Sequence, residues 1–206
     1  ERVVIVDNGA SAETAAYLKT LEPERYTLVR HPANLGSAAG YGAGLEAAYA
    51  SDCSHLWLLD DDNRPDPESL RALLAACAAQ PEAALCSLRS DRPALVAYAA
   101  GAPYARTFGL PHSCLGFSWR DLPAKLRRRL GAAAPASEIP TSEMAASAAP
   151  PDLLPLPYAP YGGLFARREH LAAAGLPRRD YHLYADDNAF TFRLSRLGLP
   201  LLLVRA

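Results

Sequence analysis

Short apolar runs alternate with helical patterns from Val3 to Leu88, and this alternation limits the fold more than any other feature of the sequence. Strands are expected at 3–6, 26–30, 55–59 and 83–88, and helices at 12–21, 38–49 and 66–80. Strands and helices that alternate in this way build βα units around a parallel sheet. The sequence therefore predicts an α/β protein with a mostly parallel, Rossmann-like sheet flanked by helices.

The periodic pattern weakens between Arg89 and Pro160 and then returns. Residues 131–157 are rich in Ala, Pro and Ser, which indicates a long flexible loop. Beyond it we expect a helix at 168–174, a second helix at 187–197 closed by Gly198, and a last strand at 201–204. We expect a single domain over residues 1–206.

Bulk composition excludes several classes of protein. Half of the 206 residues are apolar, 21% are charged and the net charge is -1, as in ordinary globular proteins and without the basic excess that favours nucleic acid. The four cysteines contain no C-x-x-C pair, so reduced thiols in a cytosolic protein are expected. No apolar run approaches the roughly 20 residues that span a bilayer.

The first and last strands lie very close to the two ends of the sequence. The run from Val3 follows Glu1-Arg2 directly, without an initiator Met, and the run 201–204 is followed by only two residues. This arrangement indicates a piece of a longer protein, truncated at both ends.

Three consecutive aspartates, Asp60, Asp61 and Asp62, follow the strand expected at 55–59. Ligands of open α/β sheets bind at the carboxyl ends of the strands, which is where this triplet falls. Two carboxylates at i and i+2 can share Mg²⁺ or Mn²⁺, whose remaining positions are commonly filled by substrate phosphates and water. A solvated acidic turn or a helix-capping cluster explains the triplet equally well.

The segment 31–44 joins a strand to a helix through several glycines and contains Asn34 and Gly36. A phosphate-binding loop is one interpretation, but the segment lacks the lysine of a P-loop and the glycine spacing of a dinucleotide fold. The helical spacing of Gly40 and Gly44 favours the alternative, close packing of the helix on the sheet.

Two further acidic positions are ambiguous when taken alone. Asp186 and Asp187 begin a helix, where carboxylates often serve only as caps and dipole partners. Asp7 follows the first strand in an Asp-Asn-Gly sequence that is also typical of turns.

The motifs become specific when they are read together and in order. They are Val-Asp-Asn-Gly-Ala-Ser at 6–11, Asn-Leu-Gly-x-Ala-x-Gly at 34–40, Leu-Leu-Asp-Asp-Asp at 58–62, Tyr-Gly-Gly-Leu-Phe-x-Arg-Arg at 161–168 and Leu-Tyr-x-Asp-Asp-x-x-Phe-x-x-Arg-Leu at 183–194. This set resembles family 2 glycosyltransferases of the GT-A fold, especially the galactofuranosyl- and rhamnosyltransferase-like branches. The resemblance covers most of the chain and leaves 89–157 unmatched.

The resemblance implies a role for each motif. Metal ligation falls to Asp60 and Asp62. The nucleotide-sugar side comprises Asp7 at the nucleobase, Asn34, Gly36, and Asp61 near the ribose or phosphate. The acceptor side is lined by Tyr161, Gly162 and Gly163. The catalytic pair is Asp187 as general base and Asp186 as its support, with Arg193 expected to hold the pair by charge-assisted hydrogen bonds.

The implied reaction is metal-dependent sugar transfer, with inversion, from a UDP- or dTDP-sugar to a glycan or lipid-linked acceptor. The implied cofactor is Mn²⁺ or Mg²⁺. No nucleic acid partner is expected. The expected location is the cytoplasm, with peripheral association at the inner face of the membrane, through parts outside this chain, as the alternative.

Two departures and two rival functions remain. The family's usual strand before Val3 and its usual histidine metal ligand beyond Val204 are absent from this sequence, so weak donor binding is expected. A sugar-1-phosphate nucleotidyltransferase would share the sheet and a metal aspartate, but its glycine-rich loop with a basic residue is not seen. A non-catalytic nucleotide- or glycan-binding module is the other rival, and the retention of both acidic sites argues against it.

Overall fold

The computed structural model describes residues 2–108, 152–180 and 185–205. The chain divides into two compact units. Unit 1 comprises Glu1–Ser87 and Leu156–Val204, and unit 2 comprises Leu88–Pro155 with Arg205–Ala206. Most of the loop expected at 131–157 lies outside the described residues, as do Leu183 and Tyr184 of the last motif. The expectation of one domain over the whole chain stays a prediction.

Unit 1 contains most of the regular structure. Its strands are β1 (Val3–Asn8), β2 (Tyr26–His31), β3 (His55–Trp57), β4 (Ala84–Ser87), β6 (Leu164–Arg167) and β7 (Leu201–Val204). Its helices are α1 (Ala12–Leu18), α2 (Ser37–Tyr49), α3 (Ser69–Ala79), α6 (Arg168–Ala174) and α7 (Asp186–Arg196). The α/β class predicted from the sequence is confirmed.

The strands of unit 1 form two sheets. In the first, β1 and β2 are parallel, with Asp7 opposite Arg30 at their carboxyl ends. In the second, the order is β3-β6-β4-β7, and β6 runs antiparallel to both β3 and β4. Because β4 and β7 are parallel, the sheet as a whole is mixed.

Glycines set the distance between α2 and β1. A Cβ added at Gly44 would lie 3.1 Å from Cγ2 of Val6, and one at Gly40 would lie 3.4 Å from the side-chain nitrogen Nδ2 of Asn8. These separations are at or below ordinary van der Waals contact. The structure therefore bears out the packing interpretation of Gly40 and Gly44, and the helix lies close against the strand that carries Asp7.

The core of unit 1 lies between the second sheet and the helices α3, α6 and α7. Its largest fully buried side chains are Phe190, Leu73, Leu85, Leu164, Leu171, Leu194, Leu203, Thr191 and Cys86. Each buried leucine contributes roughly 1.5 to 3 kcal/mol relative to an exposed one. The elements that carry the acidic motifs are thus fixed to one core.

Unit 2 contains α4 (Pro93–Ala99), α5 (Tyr104–Thr107) and β5 (Leu153–Pro155). Tyr98 donates a 3.0 Å hydrogen bond to the carbonyl oxygen of Pro155, and its ring meets those of Tyr104 and Phe108 edge-on. The weak periodicity of this stretch gave no indication of these short elements. Their cohesion comes from aromatic contacts that local patterns do not encode.

Several predicted boundaries agree with the structure, and one helix begins later than expected. The bounds of α6 and β7 are those predicted. The helix expected at 66–80 begins only at Ser69, and Asp66 accepts the N–H of Glu68 within a preceding turn. Pro65 precedes that turn and Pro67 lies within it, and both restrict its backbone.

Two composition-based expectations can be examined in the described residues. Cys53, Cys77 and Cys86 are reduced there, while Cys114 lies outside the described part. No helix among the described residues combines the length and apolarity that a membrane crossing requires.

Candidate active site

The aspartate triplet lies on a turn just beyond β3, as predicted. The backbone N–H of Asp60 donates to Oδ1 of Asn63 (2.9 Å). The backbone N–H of Asn63 donates to the carbonyl oxygen of Asp60 (3.1 Å). Asp60 is partly buried by this turn, whereas Asp61 and Asp62 are exposed. The turn therefore leaves Asp61 and Asp62 at the surface, and none of the three aspartates is the N-cap of α3.

The donor set of this turn fits a hard divalent cation. The Asn63 amide nitrogen lies 3.0 Å from Oδ1 of Asp62 and 3.5 Å from Oδ2 of Asp60, so the two carboxylates reach one electropositive group between them. Among the described residues, no cluster of three or more His, Cys, Asp or Glu side chains could hold a metal. A cation bound by two carboxylates needs further ligands, which phosphate oxygens and water supply in Mg²⁺-type sites.

Tyr41, in the middle of α2, connects the triplet to the segment predicted on the acceptor side. Its hydroxyl donates a 2.5 Å hydrogen bond to Oδ1 of Asp60. Its ring stacks on Tyr161 at a centroid distance of 4.1 Å. Nothing in the sequence singled out Tyr41, because an aromatic residue in a glycine-interrupted helix is typical of core packing.

The Tyr161–Gly163 segment is built into the sheet beside the triplet. The N–H of Gly163 donates to the carbonyl oxygen of Leu58, and its own carbonyl accepts from the N–H of Ser87. Gly163 has φ +97°, and an added Cβ would lie 2.5 Å from Oγ of Ser87. A glycine is required here, and it places Tyr161 next to the end of β3.

Tyr161 also lies close to the acidic pair. Its ring is buried and lies 5.8 Å from that of Phe190 on α7. Burial raises the pKa of its hydroxyl well above the usual range, and the carboxylates of Asp186 and Asp187 raise it further. The hydroxyl therefore stays protonated, and it has no hydrogen bond of ordinary geometry. This places a buried donor beside the predicted catalytic acids.

Asp186 is buried and held from another part of the chain. Only 5% of its surface is exposed, and Oδ2 accepts a 2.7 Å hydrogen bond from the hydroxyl of Ser37 at the start of α2. A buried carboxylate needs such partners because its desolvation is costly. One oxygen of Asp186 is thus engaged in orienting the carboxylate.

Asp187 is the more accessible acid of the pair. It is half-buried, and its Oδ1 accepts the backbone N–H of Asn188 at 2.7 Å. Both acids lie in the first turn of α7, where the helix dipole stabilises negative charge. The residue before them, Ala185, has a left-handed backbone with φ +64°. Burial and the Asp187 carboxylate together raise the pKa of Tyr158.

Thr191 connects α7 to Ala159, which precedes the Tyr161–Gly163 segment. Its buried hydroxyl accepts the N–H of Ala159 (2.9 Å) and lies 3.0 Å from the carbonyl oxygen of the same residue. It also lies 2.9 Å from the carbonyl oxygen of Asp187, one helical turn earlier. The sequence gave no signal for this role, because a threonine within a helix does not by itself indicate a contact with another segment.

The expectation that Arg193 holds the acidic pair is wrong. Its guanidinium donates to the carbonyl oxygen of Leu176 (2.6 Å) and lies 5.2 Å from the ring centroid of Phe190. The reason is distance along the helix. Arg193 lies six residues after Asp187, nearly two helical turns away. Its side chain is therefore attached near the C-terminal end of α7, whereas the acids lie in the first turn.

Asp7 lies at the carboxyl end of β1, as predicted, with both carboxylate oxygens engaged. Oδ1 accepts the Ala10 N–H (2.8 Å), and Oδ2 accepts Nε of Arg30 (2.7 Å). The Ala10 N–H and the Arg30 guanidinium hold the pKa of this carboxyl below its usual range, against the opposing effect of burial. The Arg30 side chain remains half-exposed. Arg30 was not identified from the sequence.

Asn34 and Gly36 belong to a loop that is locked against the end of β1. The Asn8 amide donates to the carbonyl oxygen of Gly36 (3.0 Å) and accepts the N–H of Leu35 (3.1 Å). Gly9 adopts φ +81°, and an added Cβ would lie 2.4 Å from the Asn34 nitrogen. The loop's conformation is therefore fixed by β1, and α2 begins directly after Gly36.

The structure brings most of the predicted site together within unit 1. Tyr41 links Asp60 to Tyr161, and Ser37 links α2 to Asp186. Asp7 lies at the carboxyl end of β1, and Asn34 and Gly36 lie in the loop between β2 and α2.

Comparison with known proteins identifies the family. Residues 1–113 match the family model described as Glycosyl transferase family 2. The chain belongs to that family. The matched region contains Asp7, Asn34, Gly36 and the aspartate triplet, and it ends before Tyr161 and the acidic pair.

Curated relatives extend the similarity over nearly the whole chain. Galactofuranosyltransferase GlfT1 of Mycolicibacterium smegmatis is 28% identical over an alignment of 205 positions, and the alignment covers 97% of this chain and 57% of that protein. Galactofuranosyltransferase GlfT1 of Mycobacterium tuberculosis strain H37Rv is 27% identical over 206 residues, with the same coverage. This chain thus spans little more than half the length of these relatives.

A solved structure supports the fold. The crystal structure of GalNAc-T7 with UDP, GalNAc and Mn²⁺ matches 99% of this chain and 36% of that chain, with a TM-score of 0.60 at 13% identity. At this identity the likeness concerns the fold alone, and the fold is GT-A, as the sequence predicted.

Proposed function

We propose that this chain carries the active site of a nucleotide-sugar-dependent glycosyltransferase. The observation that supports this most is the contact made by Tyr41, whose hydroxyl reaches Asp60 while its ring stacks on Tyr161. This contact brings the aspartate triplet, which suits a metal and a diphosphate, next to the Tyr161–Gly163 segment. That segment lies beside the two acids of α7. Transfer from a diphosphate sugar to a hydroxyl needs such adjacent donor and acceptor sites.

On the donor side, Asp60 and Asp62 are proposed to hold Mn²⁺ or Mg²⁺, which would neutralise charge on the departing diphosphate. Asp61 is exposed and is assigned to the ribose or phosphate. Asp7 is assigned to the nucleobase side, where it fixes the loop after β1 and the Arg30 guanidinium. Asn34 and Gly36 complete the donor side through the locked loop before α2.

On the acceptor side, Asp187 is proposed as the general base. Asp186 is buried and already accepts from Ser37, whereas Asp187 is the more exposed carboxylate. Asp187 would remove the acceptor proton as the acceptor oxygen forms its bond to the anomeric carbon. The bond from that carbon to the diphosphate oxygen breaks at the same time, which inverts the anomeric centre. Tyr161, Gly162 and Gly163 are assigned to the acceptor sugar.

The similarity to two galactofuranosyltransferases suggests a galactofuranosyl donor and a glycan or lipid-linked acceptor. UDP is the favoured nucleotide, with dTDP as the alternative. We propose one catalytic domain over residues 1–206 that acts in the cytoplasm, at the inner face of the membrane when its acceptor is lipid-linked.

The proposal is tested by thermal unfolding and turnover on a panel of UDP-, dTDP- and GDP-sugars, each with and without Mn²⁺. A bound donor at 100 times its Kd should add roughly 2.7 kcal/mol to the free energy of unfolding. We expect Mn²⁺-dependent stabilisation by one nucleotide class and sugar transfer from that donor. Stabilisation without transfer would favour a non-catalytic binding module, and formation of a nucleotide sugar from a sugar phosphate would favour a nucleotidyltransferase.

A further inference from the structure

One face of α2 contacts both acidic clusters of unit 1. Ser37 and Tyr41 are four residues apart, so their side chains lie one above the other on the helix. Ser37 donates to Asp186, and Tyr41 donates to Asp60. The same helix packs close to β1, since a Cβ added at Gly44 would lie 3.1 Å from Cγ2 of Val6. One helix therefore contacts both acidic clusters.

Tyr41 makes two different contacts from one side chain. Its hydroxyl hydrogen-bonds to Oδ1 of Asp60, and its ring lies 4.1 Å from the Tyr161 ring at an interplanar angle of 28°. Asp60 has a second oxygen, Oδ2, whose contact with Asn63 is long at 3.5 Å. Tyr41 thus fixes the rotation of the Asp60 carboxylate through Oδ1. The other oxygen, Oδ2, faces the side-chain amide of Asn63, which also contacts Asp62.

We propose that Tyr41 is a positioning residue for metal and donor binding, a role that rests on the function proposed above. Its hydroxyl holds the Asp60 carboxylate in the orientation that a divalent cation and diphosphate require. Its ring couples that orientation to Tyr161, so that filling the donor side steadies the acceptor side. Hydrogen bonds to metal-binding carboxylates commonly change metal affinity by about 10- to 100-fold when removed.

The decisive experiment compares Tyr41→Phe with wild type in the intact protein. This substitution keeps the ring and its stacking on Tyr161 and removes only the hydroxyl. UDP binding is measured by calorimetry with and without Mn²⁺, and free Mn²⁺ is measured by electron paramagnetic resonance. We expect Mn²⁺-dependent UDP affinity to fall about 10-fold, with UDP binding in the absence of metal unchanged.

Tyr49→Phe is the matched control. Tyr49 lies on the same helix and also donates a single hydrogen bond, to the carbonyl oxygen of Gly175 at 3.3 Å. A general effect of losing a tyrosine hydroxyl on α2 would appear in both variants. The positioning role predicts that Tyr49→Phe binds Mn²⁺ and UDP as wild type does.

A third variant, Asp62→Ala, separates failure of this inference from failure of the proposed function. If wild type shows no Mn²⁺ enhancement of UDP binding, the metal-dependent function and the inference both fail. If Asp62→Ala loses the enhancement while Tyr41→Phe keeps it, the function stands and Tyr41 has no positioning role. Tighter Mn²⁺ binding in Tyr41→Phe would also overturn the inference, because the hydroxyl would then compete with the metal.

The coupling to Tyr161 is tested with Tyr41→Leu, which removes both contacts. We expect this variant to show the metal defect of Tyr41→Phe and, in addition, a raised KM for the acceptor. An acceptor KM equal to that of Tyr41→Phe would show that the stacked ring transmits nothing to the acceptor side.

Discussion

The two acidic clusters of unit 1 are built in opposite ways. The triplet lies on a turn, with Asp61 and Asp62 exposed, whereas Asp186 is 5% exposed and hydrogen-bonded to Ser37. The fold leaves the side chains of Asp61 and Asp62 in solvent, where the proposed metal and donor would bind them. A buried acid has its position fixed by the fold before any ligand arrives. We therefore propose that Asp61 and Asp62 take their final positions when metal and donor bind, whereas Asp60 and Asp186 are held beforehand by Tyr41 and Ser37.

The largest effect is expected from Asp187→Asn, which keeps the size of the side chain and removes its basicity. General-base catalysis is worth about 10²- to 10⁴-fold, so kcat should fall by that factor while the Kd for donor changes little. Asp186→Asn should cost less in rate, since its role is to orient. Steady-state kinetics with a saturating donor distinguishes the two.

An exchange of these outcomes would assign the roles differently. If Asp186→Asn abolished turnover while Asp187→Asn kept near-normal kcat, the buried acid would be the base, and the proposed division between a held acid and a reactive one would fail. If both variants stayed active, the base would lie outside this pair.

The next effect concerns the exposed cluster. Asp62→Ala should remove most of the Mn²⁺ enhancement of donor binding, by at least about 10-fold, since even an outer-shell change costs a metal site that much. The folded state should lose little stability, because the side chain is exposed. Donor affinity is measured with Mn²⁺ and with a chelator, in both proteins. Equal metal enhancement in wild type and variant would remove Asp62 from the metal site.

The sequence predicted elements better than it predicted contacts between them. Strand β7 and helix α6 were recognised because apolar runs and helical patterns are local. The antiparallel direction of β6 was not foreseen, because pairing direction depends on the path of the intervening chain. The residues of both acidic clusters were found through family resemblance. This was possible because each motif is contiguous in the chain.

The residues that join the motifs were missed. Ser37 and Asp186 are 149 residues apart, and their hydrogen bond leaves no trace in either local sequence. Tyr41 and Thr191 lie inside helices, where an aromatic or hydroxyl residue is ordinarily explained by packing. Arg193 was assigned to the acids because it shares their motif, although the helix carries it away from them.

A third effect, on stability, is expected at Gly163, which lies between β3 and β4. An alanine there would meet Ser87 at 2.5 Å and would have to adopt φ +97°. Positive φ and overpacking together should cost about 2 to 4 kcal/mol of the free energy of unfolding, measured with denaturant. Gly42→Ala in α2 is the control, since nothing lies within 4 Å of its added Cβ, and it should stabilise by about 0.5 to 1 kcal/mol. If Gly163→Ala lowered the free energy of unfolding only slightly, the Tyr161–Gly163 segment would be less rigid than a preorganised acceptor side requires.

The smallest effect concerns the backbone that leads into the buried acid. Among the described residues, Ala185 alone has a positive φ without being glycine. A left-handed conformation costs an L-residue about 1 to 2 kcal/mol, so Ala185→Gly should relieve strain and stabilise the protein by about 1 kcal/mol after the entropy of the unfolded chain is counted. For a chain of this size, that corresponds to a rise in Tm of about 2 to 4 °C.

The matched control for this change is Ala189→Gly, four residues further along α7, where the backbone is helical. Glycine inside a helix should destabilise by about 1 kcal/mol, so the two substitutions should shift Tm in opposite directions. If Ala185→Gly lowered Tm as Ala189→Gly does, the strain would be absent and Asp186 would not be held by a constrained entry to its helix. If it raised Tm and also lowered kcat, the strained entry would contribute to positioning the acids. The preorganisation of the acceptor side would then include the backbone as well as the bond from Ser37.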